Sequence, residues 1–210
     1  MNQSTQFMKQ TSTKIRAEKD IITIRTNGKK LSILNVSDLH LDSLHTDRKK
    51  VKRLFDDAVK QGAYIAIYGD LFDVMGTKFD RRTTKSDIAK AHQEDSYLNV
   101  VAKDIADFLT PYIDSILLIT IGNHEKEIDK RMEISLLEIM NLYLHKNTGK
   151  EIFISNHYAG FIRVLLSENC RNSSCVIFYN HGKDGNVTMS FGVLNVKRNA
   201  SVIEIGRAHV

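Results

Sequence analysis

Short apolar runs and longer segments with helical spacing alternate along most of this sequence. Three runs, ILNV (33–36), AYIAIY (63–68) and ILLITI (116–121), predict buried strands. The segments between them, TDRKKVKRLFDDAVKQG (46–62) and SYLNVVAKDIADFLTPYIDS (96–115), predict amphipathic helices, the second broken near the only proline. This order of strand, helix, strand, helix and strand predicts parallel strands joined by right-handed crossovers, and hence an α/β layered fold.

Further elements follow from the same pattern. EISLLEIMNLYLHK (133–146) predicts another helix, and AGFIRVLLSE (159–168) and CVIFYNHG (175–182) predict two more strands. IITIRT and KKLSILNV flank Asn27-Gly28, a dipeptide preferred in tight turns, and predict a β-hairpin. Cys170 and Cys175 flank RNSS, which resembles a turn, and we expect two reduced thiols. Residues 1–20 are polar and predict a flexible tail.

Polar side chains follow the ends of four predicted strands. They are Asp38 and His40, then Asp70, then Asn123 and His124, and finally His181. In α/β folds, ligands collect at the carboxyl ends of the strands. If these four strands share a sheet, the polar residues converge on one edge of it.

The chemistry of this set favours metal ions. The sequence contains neither a G-x-S-x-G elbow nor a phosphate-binding G-x-x-x-x-G-K-[ST] loop. Carboxylate, imidazole and amide oxygen ligands suit manganese, iron or zinc. One carboxylate between two such cations holds them about 3.5–4 Å apart, the spacing at which a metal pair activates water and clamps a phosphoryl oxygen.

The composition and net charge say less about function than the motifs do. The net charge of +5 is a weak basic bias, placed partly in the N-terminal segment and partly in DRKKVKR at 47–53, and we interpret it as a solvated surface rather than a nucleic-acid site. There is no apolar run of bilayer length and no secretory signal pattern at the N-terminus. We therefore expect a cytoplasmic protein that does not bind membranes.

Four motifs carry a resemblance to a known family. SDLH (37–40), GDLFD (69–73), GNHE (122–125) and NHG (180–182) occur in the order and context of the calcineurin-like metallophosphoesterases. The resemblance covers about residues 31–203, and the segments YGDLFDVMGTKFDRR and HYAGFIRV are similar to uncharacterised phosphoesterases of bacteriophages. It implies a four-layer α/β/β/α sandwich.

The resemblance also implies residue roles. Asp38 and His40 would bind the first metal, Asp70 would bridge both metals, Asn123 and His181 would bind the second, and His124 would be catalytic, acting on the phosphate. The implied cofactors are two divalent ions, manganese first and iron or zinc as alternatives. The implied reaction is attack of metal-bound hydroxide on a phosphoester, with a nucleic acid or a nucleotide as the first choice of substrate. The alternative is a non-catalytic binding protein that retains the fold.

Several residues have plainer interpretations. Asp38 alone would cap a turn, and His40 alone would be an ordinary surface or core histidine. Asp42 and Asp73 are interpreted as loop or helix-start residues beside the site rather than ligands, and Glu125 as a neighbour of the ligands at most. Members of this type often carry a histidine pair where this chain has Asn180-His181.

The end of the chain departs from the family pattern. The family closes with G-H-x-H, whereas this sequence ends SVIEIGRAHV, in which Gly206 and His209 imitate the motif and Arg207 stands at a ligand position. EIGRAHV matches the translation of a common sequencing adapter. We therefore interpret residues 204–210 as adapter read-through and 21–203 as a phosphoesterase domain that is incomplete at its C-terminus.

Resequencing the locus tests this interpretation. We expect the native reading frame to continue past Ile203 into a G-H-x-H motif that supplies the two remaining histidine ligands. An unbroken genomic template that encodes EIGRAHV would show the hypothesis to be wrong.

Overall fold

The computed structural model describes residues 13–18, 21–27, 30–74, 97–168 and 171–182. The strands are β1 (Lys14–Glu18), β2 (Ile21–Asn27), β3 (Ile33–Val36), β4 (Tyr64–Tyr68), β5 (Ile116–Thr120), β6 (Ile154–Ser155), β7 (Ala159–Glu168) and β8 (Arg171–Asn180). The helices are α1 (Arg48–Lys60), α2 (Tyr97–Leu109), α3 (Asn123–Met132) and α4 (Leu136–Thr148). The C-terminal expectations, including those for Gly206, His209 and residues 204–210, lie outside the described residues.

The first sheet has the strand order β3-β4-β5-β6, and every pair in it is parallel. We call it the parallel sheet. Its strands are short and apolar, and all five residues of β5 are buried, as expected for a strand covered on both faces. The prediction of parallel strands with helical crossovers is thereby confirmed, and the chain is a mixed α/β protein.

Helices cover one face of the parallel sheet. Asp47 caps α1 by accepting a hydrogen bond from the Lys50 amide at 3.0 Å, and the chain leaves this helix through Gly62, whose φ of +67° suits glycine. Helix α2 ends at Leu109, where a 3-10 turn that contains Pro111 follows, as the sequence predicted. The apolar sides of these helices form one core with the sheet, and no helix among the described ranges is long and apolar enough to cross a membrane.

The second sheet has the order β1-β2-β7-β8, in which only β2 and β7 run parallel. We call it the mixed sheet. One of its faces packs on the parallel sheet through a shared apolar cluster: Ile22, Ile24, Ala66, Leu117, Leu118, Ile162, Val164 and Tyr179. The described elements thus form successive layers of helices, parallel sheet and mixed sheet.

The mixed sheet corrects four expectations. Strands β2 and β3 lie in different sheets, so the hairpin over Asn27-Gly28 is wrong, because β1 and β7 occupy both edges of β2. RNSS lies within β8, not in a turn. Lys14–Glu18 form β1, although the tail was expected to reach residue 20. Strand β8, which precedes His181, belongs to the mixed sheet, so the four strands that carry the polar residues do not share one sheet.

Helix α4 offers a matched test of the core. Leu144 is fully buried and Leu142 is 68% exposed, although both lie on the same helix. We expect Leu144→Ala to lower the free energy of unfolding by about 2–5 kcal/mol and Leu142→Ala to change it by less than about 0.5 kcal/mol. Urea denaturation followed by circular dichroism measures both, and equal losses would contradict the layer assignment of α4.

Candidate metal centre

The ends of the two sheets meet at one place. His181 follows β8 of the mixed sheet, and its Nδ1 lies 2.8 Å from the carbonyl oxygen of Tyr68, the last residue of β4 in the parallel sheet. Gly69 permits this approach, because a Cβ there would lie 2.6 Å from His181 Nδ1. The rings of Tyr68 and Tyr179 also stack across the sheets, with centroids 5.1 Å apart. The polar residues therefore converge although their strands belong to two sheets.

Asp70 is the centre of this convergence. It is buried, and it belongs to two groups of residues that could hold a metal ion. Within each group, the potential ligand atoms lie within 4.8 Å of one another. One group joins Asp70 to His40 and His124, and the other joins it to Asp38 and His181. Asp70 is the residue that the two groups have in common.

The remaining predicted residues lie at the same place. Asn123 Oδ1 is 3.1 Å from His181 Nε2, which is 3.4 Å from Asp70 Oδ2. The structure thus brings together all six side chains singled out in the sequence. The grouping of these residues around Asp70 differs from the expected one. His40 was expected to share a metal with Asp38, but it shares a group with His124, and Asp38 shares one with His181.

Backbone strain accompanies these positions. Asp38, His40 and Asp70 have φ values of 54°, 43° and 50°, in the left-handed region that residues other than glycine rarely occupy. Hydrogen bonds between the loops hold them there: the Asp38 amide donates to the Gly69 carbonyl and the His40 amide to that of Asp70. Strain of this kind persists where the surroundings fix it, and it concentrates at functional sites.

Electrostatics favour a charged centre. Burial by itself would raise the pKa of Asp70, but hydrogen bonds from His181 and from the His124 amide outweigh it and lower the pKa below its ordinary value. The hydrogen bond with Asp70 in turn raises the pKa of His181 to about 9, against the opposing effect of burial. Asp70 is therefore an anion that attracts cations, and a metal ion at this centre would displace a ring proton of His181, because imidazole ligates metals only as the neutral group.

The donors fit divalent metals of intermediate hardness. They comprise carboxylate oxygens, imidazole nitrogens and the amide oxygen of Asn123, a set typical of manganese, iron or zinc. His40 Nδ1 is buried and has no hydrogen-bond partner among the described residues; Asp73 Oδ1 is 3.5 Å away. A buried ring nitrogen without a hydrogen bond is unusual, and a cation would satisfy it.

Asp73 contacts the site directly, and Asp42 holds the backbone at Asp73 and Val74. The imidazole Nδ1 of His124 lies 2.7 Å from the backbone oxygen of Asp73 and 3.5 Å from its carboxylate. Asp42 is buried and accepts hydrogen bonds from the amides of Asp73 and Val74, at 2.6 and 2.8 Å. Their placement beside the site agrees with the sequence interpretation. The contact between Asp73 and the His124 ring was missed, although the place of Asp73 in GDLFD was a signal.

Glu125 supports the site by hydrogen bonds to three backbone amides. It is fully buried, and it accepts hydrogen bonds from the amides of Asp70, Phe72 and Gly122 at 3.2, 3.0 and 2.9 Å. Burial raises the pKa of Glu125 to about 7. One carboxylate thereby joins the loop after β4 to the first turn of α3. Sequence reasoning placed Glu125 near the ligands but did not find this link.

Gly122 completes the link. A Cβ at this position would overlap the carboxylate and the backbone nitrogen of Asp70. Asp70 in turn accepts a hydrogen bond from the His124 amide at 3.1 Å, at the start of α3. The first and last residues of G-N-H-E therefore each have a structural role. Gly122 leaves space for the Asp70 carboxylate, and Glu125 accepts a hydrogen bond from the Asp70 amide.

No family model matches this chain, and the comparisons with curated proteins and with solved structures found no match either. A functional proposal for this chain therefore depends on the site residues and their geometry.

Glu125→Gln tests the link. A glutamine amide must turn an NH₂ group toward one set of backbone N–H donors, so at least one buried donor loses its acceptor. We expect the free energy of unfolding to fall by about 2 kcal/mol or more, whereas Glu127→Gln, on the exposed side of the same helix, should change it little. Chemical denaturation measures both variants, and equal stability would contradict the assigned role.

Proposed function

We propose that this protein is a metal-dependent phosphoesterase of the calcineurin-like type, with a four-layer α/β/β/α architecture. The observation that carries the proposal is the position of Asp70, shared between two groups of ligand atoms at the junction of the two sheets. The described elements account for a helical layer and two sheets of that sandwich. The residues that resembled the family's motifs by spacing are the ones that meet.

The proposed cofactors are two divalent cations, with manganese first and iron or zinc as alternatives. Asp38, His40, Asp70, Asn123 and His181 would hold them. A bound metal pair supplies Lewis acidity, which acidifies water and neutralises charge on a phosphoryl group. Asp38 and Asn123 are exposed, so the site faces solvent and a phosphoester can reach it.

His124 is the proposed catalytic side chain. Its Nδ1 lies 2.7 Å from the Asp73 carbonyl oxygen, which can only accept, so this nitrogen carries the hydrogen. Its Nε2 lies 3.9 Å from Asp70 Oδ2 and points into the site. A protonated Nε2 can stabilise charge on the phosphate or protonate the leaving oxygen, which is the role proposed here.

The proposed substrate is a nucleic acid or a nucleotide. Lys126 lies close to the site, with its ammonium group 4.7 Å from the centre of the Tyr158 ring, and Tyr158 stacks on His181 at a centroid distance of 6.0 Å. A cation beside the centre, together with the basic net charge, suits a polyanionic phosphoester.

Hydrolysis of bis-(p-nitrophenyl) phosphate with added manganese tests the function. Asp70→Asn keeps the shape but removes the shared charge, so we expect the rate to fall by at least about 100-fold. Asp57→Asn, an exposed carboxylate on α1, is the matched control and should keep the full rate.

The outcomes separate the alternatives. Background rates in the parent protein and in Asp70→Asn alike would favour the non-catalytic binding protein. Activity on p-nitrophenyl phosphate but not on the diester would identify a phosphatase rather than a nuclease. Full activity of Asp70→Asn would refute the proposal.

Calorimetric titration with Mn²⁺ tests the ligand assignment. We expect two sites, of which His40→Ala weakens one and Asn123→Ala weakens the other, since His40 shares a group with His124 and Asn123 contacts His181 of the other group. Asp70→Asn should weaken both sites by about 10-fold or more. Unchanged titrations for all three variants would place the metals elsewhere.

A further inference from the structure

Lys126 and Tyr158 lie together beside the candidate metal centre, and neither belongs to the proposed ligand set. The Lys126 amide donates to the Gly122 carbonyl at 3.1 Å, so the lysine stands in the first turn of α3. It follows Asn123 by three residues, and this spacing places both side chains on the same side of the helix. Asn123 in turn contacts His181 at 3.1 Å. The lysine therefore extends the metal centre along α3.

Tyr158 connects this lysine to the centre. It lies between β6 and β7, and its carbonyl oxygen accepts a hydrogen bond from the His181 amide at 2.8 Å. Its ring stacks on the His181 ring at a centroid distance of 6.0 Å, and the Lys126 ammonium lies 4.7 Å from the centre of the same ring. Attraction between the ammonium and the aromatic ring therefore holds the lysine near a proposed metal ligand.

The Lys126 ammonium has no ion-pair partner among the residues that the structure describes, although it is partly buried. The neighbouring carboxylates of α3 have other partners. Glu125 accepts hydrogen bonds from three backbone amides, and Glu127 pairs with Arg131 at 2.6 Å. Asp129 interacts with the backbone at the start of α4. The lysine thus presents a positive charge that no described carboxylate pairs with.

The hydroxyl of Tyr158 is a second donor at this place. No described residue forms a hydrogen bond with it, and a phenol keeps its hydrogen at neutral pH. The ammonium offers three hydrogens and lies over the ring that carries this hydroxyl. Donors of this kind suit the oxygens of an anion, because hydrogen bonds between ionised partners are the stronger ones.

We propose that Lys126 and Tyr158 bind a second phosphate of the substrate, next to the phosphate held at the metal centre. This inference rests on the proposed function and narrows its substrate class to phosphoesters with another phosphate close to the reacting one. Two kinds of substrate share this chemistry: an oligonucleotide with its neighbouring backbone phosphate, and a nucleotide with two phosphates. Lys126 is then a specificity-determining residue, and the chemistry stays with the metal centre.

The placement of Lys126 separates this role from binding of the reacting phosphate. Among the described residues, the lysine side chain contacts the centre through the Tyr158 ring and has no direct contact with a proposed ligand. The reacting phosphate would lie on the cations around Asp70. An ammonium one ring removed from His181 meets a group attached to that phosphate.

Calorimetric titration with phosphonates measures the subsite without hydrolysis, because their carbon–phosphorus bonds are not cleaved. The probes are pentane-1,5-bisphosphonate, whose chain has the length of the sugar linkage between neighbouring phosphates, and pentylphosphonate, which lacks the second anion. With Mn²⁺ present, we expect the parent protein to bind the bisphosphonate at least about 10-fold more tightly, since charge-assisted hydrogen bonds are added. Added KCl should reduce this preference.

The variants assign the preference to the two side chains. Lys126→Gln should bring the ratio of the two affinities close to 1, and Lys126→Arg should keep most of the preference because the charge remains. Tyr158→Phe keeps the ring against His181 and should reduce the preference partly. Lys130→Gln, at an exposed position of the same helix, is the matched control and should retain the parent ratio.

Competition identifies the source of the second phosphate. A thymidine tetranucleotide and thymidine 3′,5′-bisphosphate are each tested for displacement of the bound bisphosphonate. Stronger displacement by the tetranucleotide would support an oligonucleotide substrate, and stronger displacement by the bisphosphate would support a nucleotide. Displacement by neither would overturn the proposal.

The contrary results are specific. Equal affinities of the parent for the two phosphonates, or an undiminished preference in Lys126→Gln, would overturn the proposal. So would an equal loss of affinity for both probes in Lys126→Gln, because the lysine would then act on the metal-bound phosphate. Hydrolysis of bis-(p-nitrophenyl) phosphate without any preference would contradict the subsite alone. A preference that depends on Lys126 in a protein without hydrolysis would contradict the phosphoesterase proposal alone.

Discussion

The placement of the Asp70 carboxylate is the constraint on which the rest of this structure depends. Asp70 follows β4 and Gly69 with a left-handed backbone, a buried side chain and a negative charge, each of which costs free energy in isolation. Glu125 holds its backbone amide, while His181 and the His124 amide stabilise its charge. Gly69 and Gly122 leave the space that this crowding requires. The arrangement makes chemical sense if cations complete it.

The junction of two sheets explains why the site forms only in the folded chain. The parallel sheet supplies Asp38, His40, Asp70 and Asn123 from the ends of three strands, and the mixed sheet supplies His181 from a fourth. The apolar cluster between the sheets fixes their separation, so the contact of His181 with the Tyr68 carbonyl depends on the packing of that cluster. Stability and ligand geometry are thereby coupled.

Much of the fold and most of the candidate site could be predicted from the sequence. The parallel strands and helices α1, α2 and α4 follow from local periodicity and punctuation, such as Gly62 and Pro111, which act within a few residues. The pairing of β2 was not accessible, since its partner β7 begins well over 100 residues later and Asn27-Gly28 favoured a hairpin. Motif order located six site residues. The links made by Glu125 and Asp73 were not found, because they depend on which backbone groups face each carboxylate in three dimensions.

Anomalous diffraction from crystals of the protein grown with Mn²⁺ is the most direct test of the central claim. The account predicts two manganese peaks about 3.5–4 Å apart with the Asp70 carboxylate between them, one beside His40 and the other beside His181 and Asn123. A single peak away from Asp70, or no peak at the junction of the two sheets, would contradict it.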